Sequence, residues 1–157
     1  MQHLAAKDIM KNGVLFAYEG WSIKYLGEFF RKHKITGAPV VASDHTLVGA
    51  VSVTDVFNFE NADREHKLAK LKDYYQEAYA LDFHAKDLEN WSLSAEESCT
   101  VHQIMNPEVI SVAPEVTVKE VCRTMVANGI HRVFVEKDGQ VAGVISSSDI
   151  LSLIAES

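Results

Sequence analysis

The chain has only two cysteines among its 157 residues, Cys99 and Cys122, and fewer basic than acidic residues. Two cysteines do not make a disulfide framework, so a reducing cytosol is the expected compartment. The formal net charge of −7 argues against binding to a nucleic-acid backbone, which requires a basic face. The chain start lacks a charged-then-apolar leader, and no apolar run approaches the roughly 20 residues that cross a bilayer. We therefore expect a soluble, cytoplasmic protein without a nucleic-acid or membrane partner.

Motifs for metal binding and for catalysis are also missing. The histidines other than His131 are scattered and have no partner three or four residues away, which is the spacing of metal ligands on a helix. The serines at 146–148 lack the glycine elbow that presents a hydrolase nucleophile. The glycine-containing segments lack the lysine of a Walker phosphate loop. We expect no metal site, no cofactor and no catalytic residue, so an enzyme is the least favoured class.

The chain does contain a long internal repeat. The pattern Gly-x-x-Ser-x-x-Asp occupies residues 49–55 and recurs at 143–149, displaced by 94 positions. Upstream, residues 35–41 match residues 130–136 with a displacement of 95, so the two copies differ by one residue in a hairpin loop. A repeat of this length indicates a duplicated domain unit rather than a short-period solenoid.

Each copy predicts the order strand, helix, strand, strand, helix. Ser22 predicts the start of a helix that runs to about Lys34, while Thr117 and Glu120 predict a capping box and Gly129 the end of the matching helix. We therefore predict an α+β fold. The predicted strands are 14–17, 38–41, 47–51, 109–112, 133–136 and 141–145.

An acidic insert separates the two copies. It contains ten acidic and five basic residues and supplies most of the net negative charge. Its apolar residues recur at helical spacing, which predicts a helix that packs on the core or on another subunit: Leu68, Leu71, Tyr75, Ala78 and Leu81. The predicted units are a first repeat over 1–59, a helical acidic insert over 60–100 and a second repeat over 101–157.

The segment from Gly143 to Asp149 predicts a strand that leads directly into a helix. At such a junction the first backbone N–H groups of the helix have no intrahelical partner, so they favour a phosphate. Ser146 adds a hydroxyl donor, and the two oxygens of Asp149 can accept hydrogen bonds from a vicinal diol such as that of ribose. The alternative is that Ser-x-x-Asp is a capping device with no ligand.

The repeat resembles the paired cystathionine-beta-synthase (CBS) domains known as the Bateman module. The matching segments are Asp8-Ile9-Met10, Gln103-Ile104-Met105, residues 36–41, residues 131–135 and both Gly-x-x-Ser-x-x-Asp patterns. The resemblance implies two βαββα units packed through their sheets around a pseudo-twofold axis, with two clefts between them. It also implies binding of an adenosine-containing ligand (AMP, ADP, ATP or S-adenosylmethionine), pairing into homodimers, and no catalysis by the module itself.

The resemblance further implies that each cleft takes its aspartate from one repeat and its base-binding residues from the other. Two sets of ligand-binding residues follow: Asp149, Ser146 and Ser148 with Val14, Ile35, Thr36 and Gly37, and Asp55, Ser52 and Thr54 with Val109, Ile130, His131 and Arg132. Phe16 stands where the second copy has Ser111, and this bulk is expected to crowd one base pocket. The two clefts are therefore expected to be unequal.

The leading function is a stand-alone regulatory module that senses an adenosine-containing ligand and signals to an unidentified effector protein. The alternative is a dimerisation or interaction protein with vestigial ligand clefts. A homodimer is expected on two apolar helix faces, which carry Val121, Met125 and Val126 in one helix and Ile150, Leu153 and Ile154 in the other.

Overall fold

The computed structural model describes residues 3–62 and 99–157, together with residues 66, 69, 72 and 73. The apolar stripe predicted for the insert lies outside these residues. In the part of the chain that is described, no helix is long and apolar enough to cross a bilayer.

The helices are α1 (Ala6–Ile9), α2 (Ile23–His33), α3 (Val53–Glu60), α4 (Val101–Ile104), α5 (Val118–Asn128) and α6 (Ser147–Ala155). The strands are β1 (Ala17–Tyr18), β2 (Gly37–Val41), β3 (Leu47–Ser52), β4 (Ser111–Val112), β5 (Arg132–Lys137) and β6 (Gln140–Ser146).

The long helices begin and end where their capping residues predict. Ser22 Oγ accepts a hydrogen bond of 3.1 Å from the Tyr25 N–H at the start of α2, which satisfies one of the unpaired donors there. Lys34 ends α2 in the left-handed region with φ of 52°, and Gly129 ends α5 with φ of 61°. Glycine adopts this conformation without a Cβ clash, so α5 has the less strained end of the two.

The two repeats form sheets of the same topology. In each sheet the short first strand runs parallel to the second strand, which pairs antiparallel with the third. The first strands are shorter than the sequence predicts, because β1 pairs with β2 only at Ala17 and Tyr18. Residues 14 and 15, predicted as strand, lie before this ladder. They line a cavity instead. The predicted α+β fold is confirmed.

The leading helix of each repeat packs in the core of the other repeat. Ala6 of α1 is buried in the cluster that contains Val133 and Val135, whereas Val101 and Ile104 of α4 are buried in the cluster of the first sheet. The backbone contacts are reciprocal, since a bridge joins Lys11 to Val144 and the equivalent bridge joins Asn106 to Ala50. The repeats are therefore related by a pseudo-twofold axis, and each is completed by its neighbour.

Candidate functional site

A cavity of about 320 Å³ lies between the two repeats. Both repeats contribute to its wall. The leading segment of the first repeat, which consists of α1 and residues 10–15, crosses to the second repeat and places residues 11–15 against the second sheet. The lining residues from the first repeat are Lys11, Asn12, Gly13, Val14, Leu15, Ile35, Gly37 and Pro39. Those from the second repeat are Arg132, Phe134, Val144, Ser146 and Asp149. The structure thus brings together five of the residues predicted for one cleft: Asp149, Ser146, Val14, Ile35 and Gly37.

The start of α6 forms one end of this cavity. Ser146 is the N-cap residue, and its Oγ accepts a 3.3 Å hydrogen bond from the Asp149 N–H. Asp149 Oδ2 in return accepts from the Ser146 N–H at 2.8 Å and from the Ser146 hydroxyl. The capping box that the sequence offered as the alternative is therefore present. The capping box uses only Oδ2 of the Asp149 carboxylate, so Oδ1 is available for another partner.

That second oxygen forms an ion pair across the repeats. Lys11 Nζ lies 2.6 Å from Asp149 Oδ1, and the exposed fractions of the two side chains are 69% and 13%. Burial of Asp149 opposes its ionisation, but the hydrogen bonds from Lys11 and Ser146 outweigh that cost and lower the pKa of Asp149 below its ordinary value. The carboxylate is thus ionised at neutral pH and ready to accept hydrogen bonds.

The remaining wall combines a second cation with apolar side chains. Arg132 lies opposite Ser146 in the β5–β6 pairing, and directly opposed residues project from the same face of a sheet. This pairing explains why Arg132 lines the cavity that contains Asp149, whereas the resemblance assigned it to the other cleft. With Lys11 and Arg132 against one carboxylate, the charged lining residues sum to a positive charge within an acidic chain. The apolar part of the wall consists of Val14, Leu15, Ile35, Phe134 and Val144.

Two further residues expected in this cleft do not line the cavity. Thr36 is exposed, and its carbonyl accepts a 2.9 Å hydrogen bond from the Val53 N–H at the start of α3. Ser148 is exposed in the first turn of α6, with its Oγ 2.8 Å from Ser146 Oγ. Ser148 is thus one hydrogen bond away from the cavity, and Thr36 supports a helix start in its own repeat.

The residues predicted for the second cleft are less gathered. Ser52 and Asp55 form the matching capping box, with the Ser52 N–H donating to Asp55 Oδ2 at 2.8 Å. Thr54 is exposed in the first turn of α3, and the half-buried Val109 donates its N–H to the Pro107 carbonyl at 3.1 Å. Gly37 lies opposite Ser52, where the other sheet has Arg132, so this helix start has no cation from that position.

Ile130 and His131, also predicted for the second cleft, line a different cavity. It measures about 450 Å³, lies between α5 and α6, and is lined mainly by apolar side chains. Three residues expected on a dimer face, Val121, Met125 and Ile150, are buried in the core of the second repeat. They pack on the sheet because the inner faces of both helices must cover it. Val126 and Ile154 remain exposed from that set.

Phe16 does not crowd the cavity that contains Asp149. Its ring packs edge-on against Tyr18 and His45, with centroid distances of 5.7 and 5.6 Å. The equivalent Ser111 instead donates a 3.2 Å hydrogen bond to Glu136. Aromatic neighbours hold the Phe16 ring, and Phe16 is not among the residues that line this cavity. The expectation that it crowds one base pocket stays a prediction for the other cleft.

Sequence reasoning missed Lys11, the residue in closest contact with Asp149. The signal was available only indirectly: Lys11 follows Asp8-Ile9-Met10, and Asn106 stands at the equivalent place in the second copy. The pair also depends on the exchange of leading segments, which local sequence patterns do not reveal.

Within residues 3–62, 66, 69, 72, 73 and 99–157, no group of three His, Cys, Asp or Glu side chains is arranged to hold a metal ion.

Comparison with known proteins agrees with this architecture. The chain is 30% identical to the protein MJ1426 of Methanocaldococcus jannaschii over 156 residues, covering 94% of this chain and 89% of that protein. The crystal structure of CBSX2 in complex with AMP has a TM-score of 0.68 and 18% identity, covering 97% of this chain and 96% of that one. The CBS domain pair of protein MJ0100, in complex with 5′-methylthioadenosine and S-adenosyl-L-methionine, has a TM-score of 0.64 and 21% identity, with coverage of 98% and 97%.

The family model for the CBS domain matches the chain twice, at residues 6–61 and 101–156. These two matches correspond to the two strand–helix repeats, and each contains one Ser-x-x-Asp capping box at the start of its last helix. Together they cover more than half of the chain. The chain therefore belongs to the CBS domain family, as a pair of CBS domains.

Proposed function

We propose that this chain is a regulatory module that binds an adenosine-containing ligand in the 320 Å³ cavity between its repeats. The observation that carries the proposal is the composite wall of that cavity. One end has the start of α6 with an ionised carboxylate, and the rest has apolar side chains from both repeats. Small-molecule sites are commonly about 300–1,000 Å³, mostly apolar, with a few convergent polar groups.

Each part of an adenine nucleotide has a suitable neighbour in this wall. The base suits the apolar surface of Val14, Ile35 and Phe134, because an aromatic ring gains most from burial against apolar atoms. The ribose diol suits the Asp149 carboxylate, since an anionic acceptor forms stronger hydrogen bonds than a neutral one. The phosphate suits the N–H groups that begin α6, with Ser146 beside them.

The relatives support this class of ligand. CBSX2 was crystallised in complex with AMP, and the MJ0100 domain pair with 5′-methylthioadenosine and S-adenosyl-L-methionine. All three ligands share the adenosine moiety and differ at the 5′ position. The shared moiety is the part that the apolar wall and Asp149 are proposed to bind here.

The proposal includes a homodimer and an effector protein. The outer faces of α5 and α6 leave Val126, Leu151 and Ile154 with exposed fractions of 83%, 65% and 50%. Val126 and Leu151 line the 450 Å³ cavity, and Ile154 lies further along α6. We infer that the three side chains form one apolar surface that a second copy can cover. Because both repeats line the ligand cavity, an occupied cavity holds the repeats together and can alter the surfaces offered to an effector.

Thermal shift and calorimetry with AMP, ADP, ATP and S-adenosylmethionine test this function. A ligand that binds only the folded state raises its stability by RT ln(1 + [L]/Kd), so at least one compound should raise Tm and give a saturable heat of binding. An absence of binding to all four at millimolar concentration would overturn the ligand proposal. A dimer that persists in that case would favour the alternative of an interaction protein with vestigial clefts.

A further inference from the structure

Lys11 combines a backbone held by two hydrogen bonds with an exposed side chain. Its N–H donates to the Val144 carbonyl at 2.9 Å, and its own carbonyl accepts from the Val144 N–H at 3.1 Å. The side chain that leaves this anchored backbone is 69% exposed, and only its ammonium contacts Asp149. A lysine in this setting can exchange partners without any movement of the main chain, because its four-carbon stem rotates freely in solvent.

The two repeats differ at this position. Asn106 occupies the place of Lys11 and makes the reciprocal backbone bridge, with Ala50 in place of Val144. Its side-chain Oδ1 accepts a 3.0 Å hydrogen bond from the Glu108 N–H, so the amide folds onto its own loop. The cation therefore belongs to one cleft alone, although the backbone geometry is the same in both.

Lys11 contacts Oδ1 of Asp149, the carboxylate oxygen that the capping box does not use. A ribose diol that binds this carboxylate must share Oδ1 with Lys11 or displace it. Displacement without a replacement partner leaves an ammonium that has lost its charge-assisted hydrogen bond. A ligand phosphate supplies such a partner in the same cavity, where Arg132 already adds a second positive charge.

We propose that Lys11 is a specificity residue, which releases Asp149 to the ribose and binds the ligand phosphate, so that this cleft selects phosphorylated adenosine ligands over those that lack a phosphate. The proposal rests on the proposed function. An uncharged 5′ substituent gives Lys11 nothing in exchange for Asp149. A cationic 5′ substituent such as a sulfonium is in addition repelled by Lys11 and Arg132.

AMP and 5′-methylthioadenosine test the proposal directly, because both carry adenosine and differ at the 5′ position. Calorimetry should give tighter binding of AMP to the unchanged protein. Lys11→Met keeps the stem and removes the charge, so AMP affinity should fall about tenfold, which is the loss of one charge-assisted hydrogen bond. Affinity for 5′-methylthioadenosine should stay equal or rise, since its competitor for Asp149 is gone. The ratio of the two affinities should therefore fall at least tenfold.

Two variants control this experiment. Lys11→Arg retains a cation and should retain most of the preference for AMP. Lys7→Met removes an exposed lysine of α1 that is not among the residues lining the cavity, and should leave both affinities unchanged. An unchanged affinity ratio in Lys11→Met, with AMP still bound, would overturn the role of Lys11 alone. Failure of the unchanged protein to bind either ligand would overturn this role together with the proposed ligand site.

Discussion

Gly143 lies directly beneath Met10 of the exchanged leading segment. A Cβ added at Gly143 would lie 2.7 Å from the Met10 sulfur and 3.0 Å from the Lys11 carbonyl oxygen. Gly49 has the same relationship to Met105, at 2.7 Å from the sulfur. The glycine of each Gly-x-x-Ser-x-x-Asp pattern is therefore required for close packing between repeats. Its place in the motif does not depend on a ligand.

Gly143→Ala should therefore destabilise the fold. The Met10 side chain can move aside, but the Lys11 carbonyl is held by the Val144 N–H, so the added methyl group overpacks the contact. Overpacking of this kind costs about 1–3 kcal/mol. Urea denaturation should show a lower free energy of unfolding, and Gly49→Ala should behave alike.

Gly27→Ala is the matched control, because no atom beyond its chain neighbours and the adjacent backbone of α2 lies within 4 Å of the Cβ position. Replacement of glycine by alanine in a helix interior should raise stability by about 1 kcal/mol. Equal effects of the three substitutions would contradict the close approach of Met10 and Met105 to the glycines.

The element order could be predicted from sequence because its signals are local. Ser22, Thr117 and Gly129 act on the turn of helix beside them, so the pattern of a few residues locates each helix end. The capping box of Ser146 and Asp149 was visible in the same way. The CBS domain pair followed from these segments together with their recurrence.

The partners within the candidate site could not be predicted this way. Lys11 and Asp149 are distant in sequence, and they meet only because α1 crosses to the second repeat. Arg132 lines the cavity with Asp149 because it pairs with Ser146 across β5 and β6, a relationship that local sequence patterns do not reveal. Phe16 likewise turned toward Tyr18 and His45, a choice made by tertiary packing.

Acid should weaken the fold partly through Asp149. Its pKa is lowered in the folded state, so the unfolded state binds the proton more readily. The stabilisation from Asp149 is fully present at pH values above its pKa in the unfolded state, about 3.9. It is lost as the pH falls through the lower pKa of the folded state. Free energies of unfolding measured from neutral pH downward should fall less steeply for Asp149→Asn than for the unchanged protein below about pH 4. Identical slopes in that range would contradict the pairing of Asp149 with Lys11 and Ser146.

The two clefts should differ in affinity. Lys11 and Arg132 line the cavity with Asp149, whereas Asn106, the equivalent of Lys11 in the second copy, is uncharged and hydrogen-bonded to its own loop. Calorimetry with AMP should therefore give one dominant site per chain, or two sites of clearly different affinity. Two identical sites per chain would show that these cations do not contribute to binding.

The proposed dimer should depend on the outer face of α5 and α6. Leu151→Lys places a charge on the apolar surface, and burial of an unpaired charge in an interface is strongly unfavourable. Light scattering should show a dimer for the unchanged protein and a monomer for this variant at tens of micromolar. Leu15→Lys, an exposed leucine outside this face, should remain dimeric. A monomeric unchanged protein would contradict the dimer.

Calorimetric titration of AMP into Asp149→Asn tests the ligand site most directly. Asparagine keeps one acceptor oxygen for the capping box, so the fold should lose on the order of 1 kcal/mol or less. It loses the charge that strengthens hydrogen bonds to the ribose, so AMP affinity should fall at least tenfold. Glu120→Gln changes the equivalent carboxylate in the α5 capping box, where the Thr117 N–H donates at 3.1 Å, and should leave affinity unchanged. A well-folded Asp149→Asn variant that binds AMP as tightly as the unchanged protein would contradict the proposed contact between Asp149 and the ligand ribose.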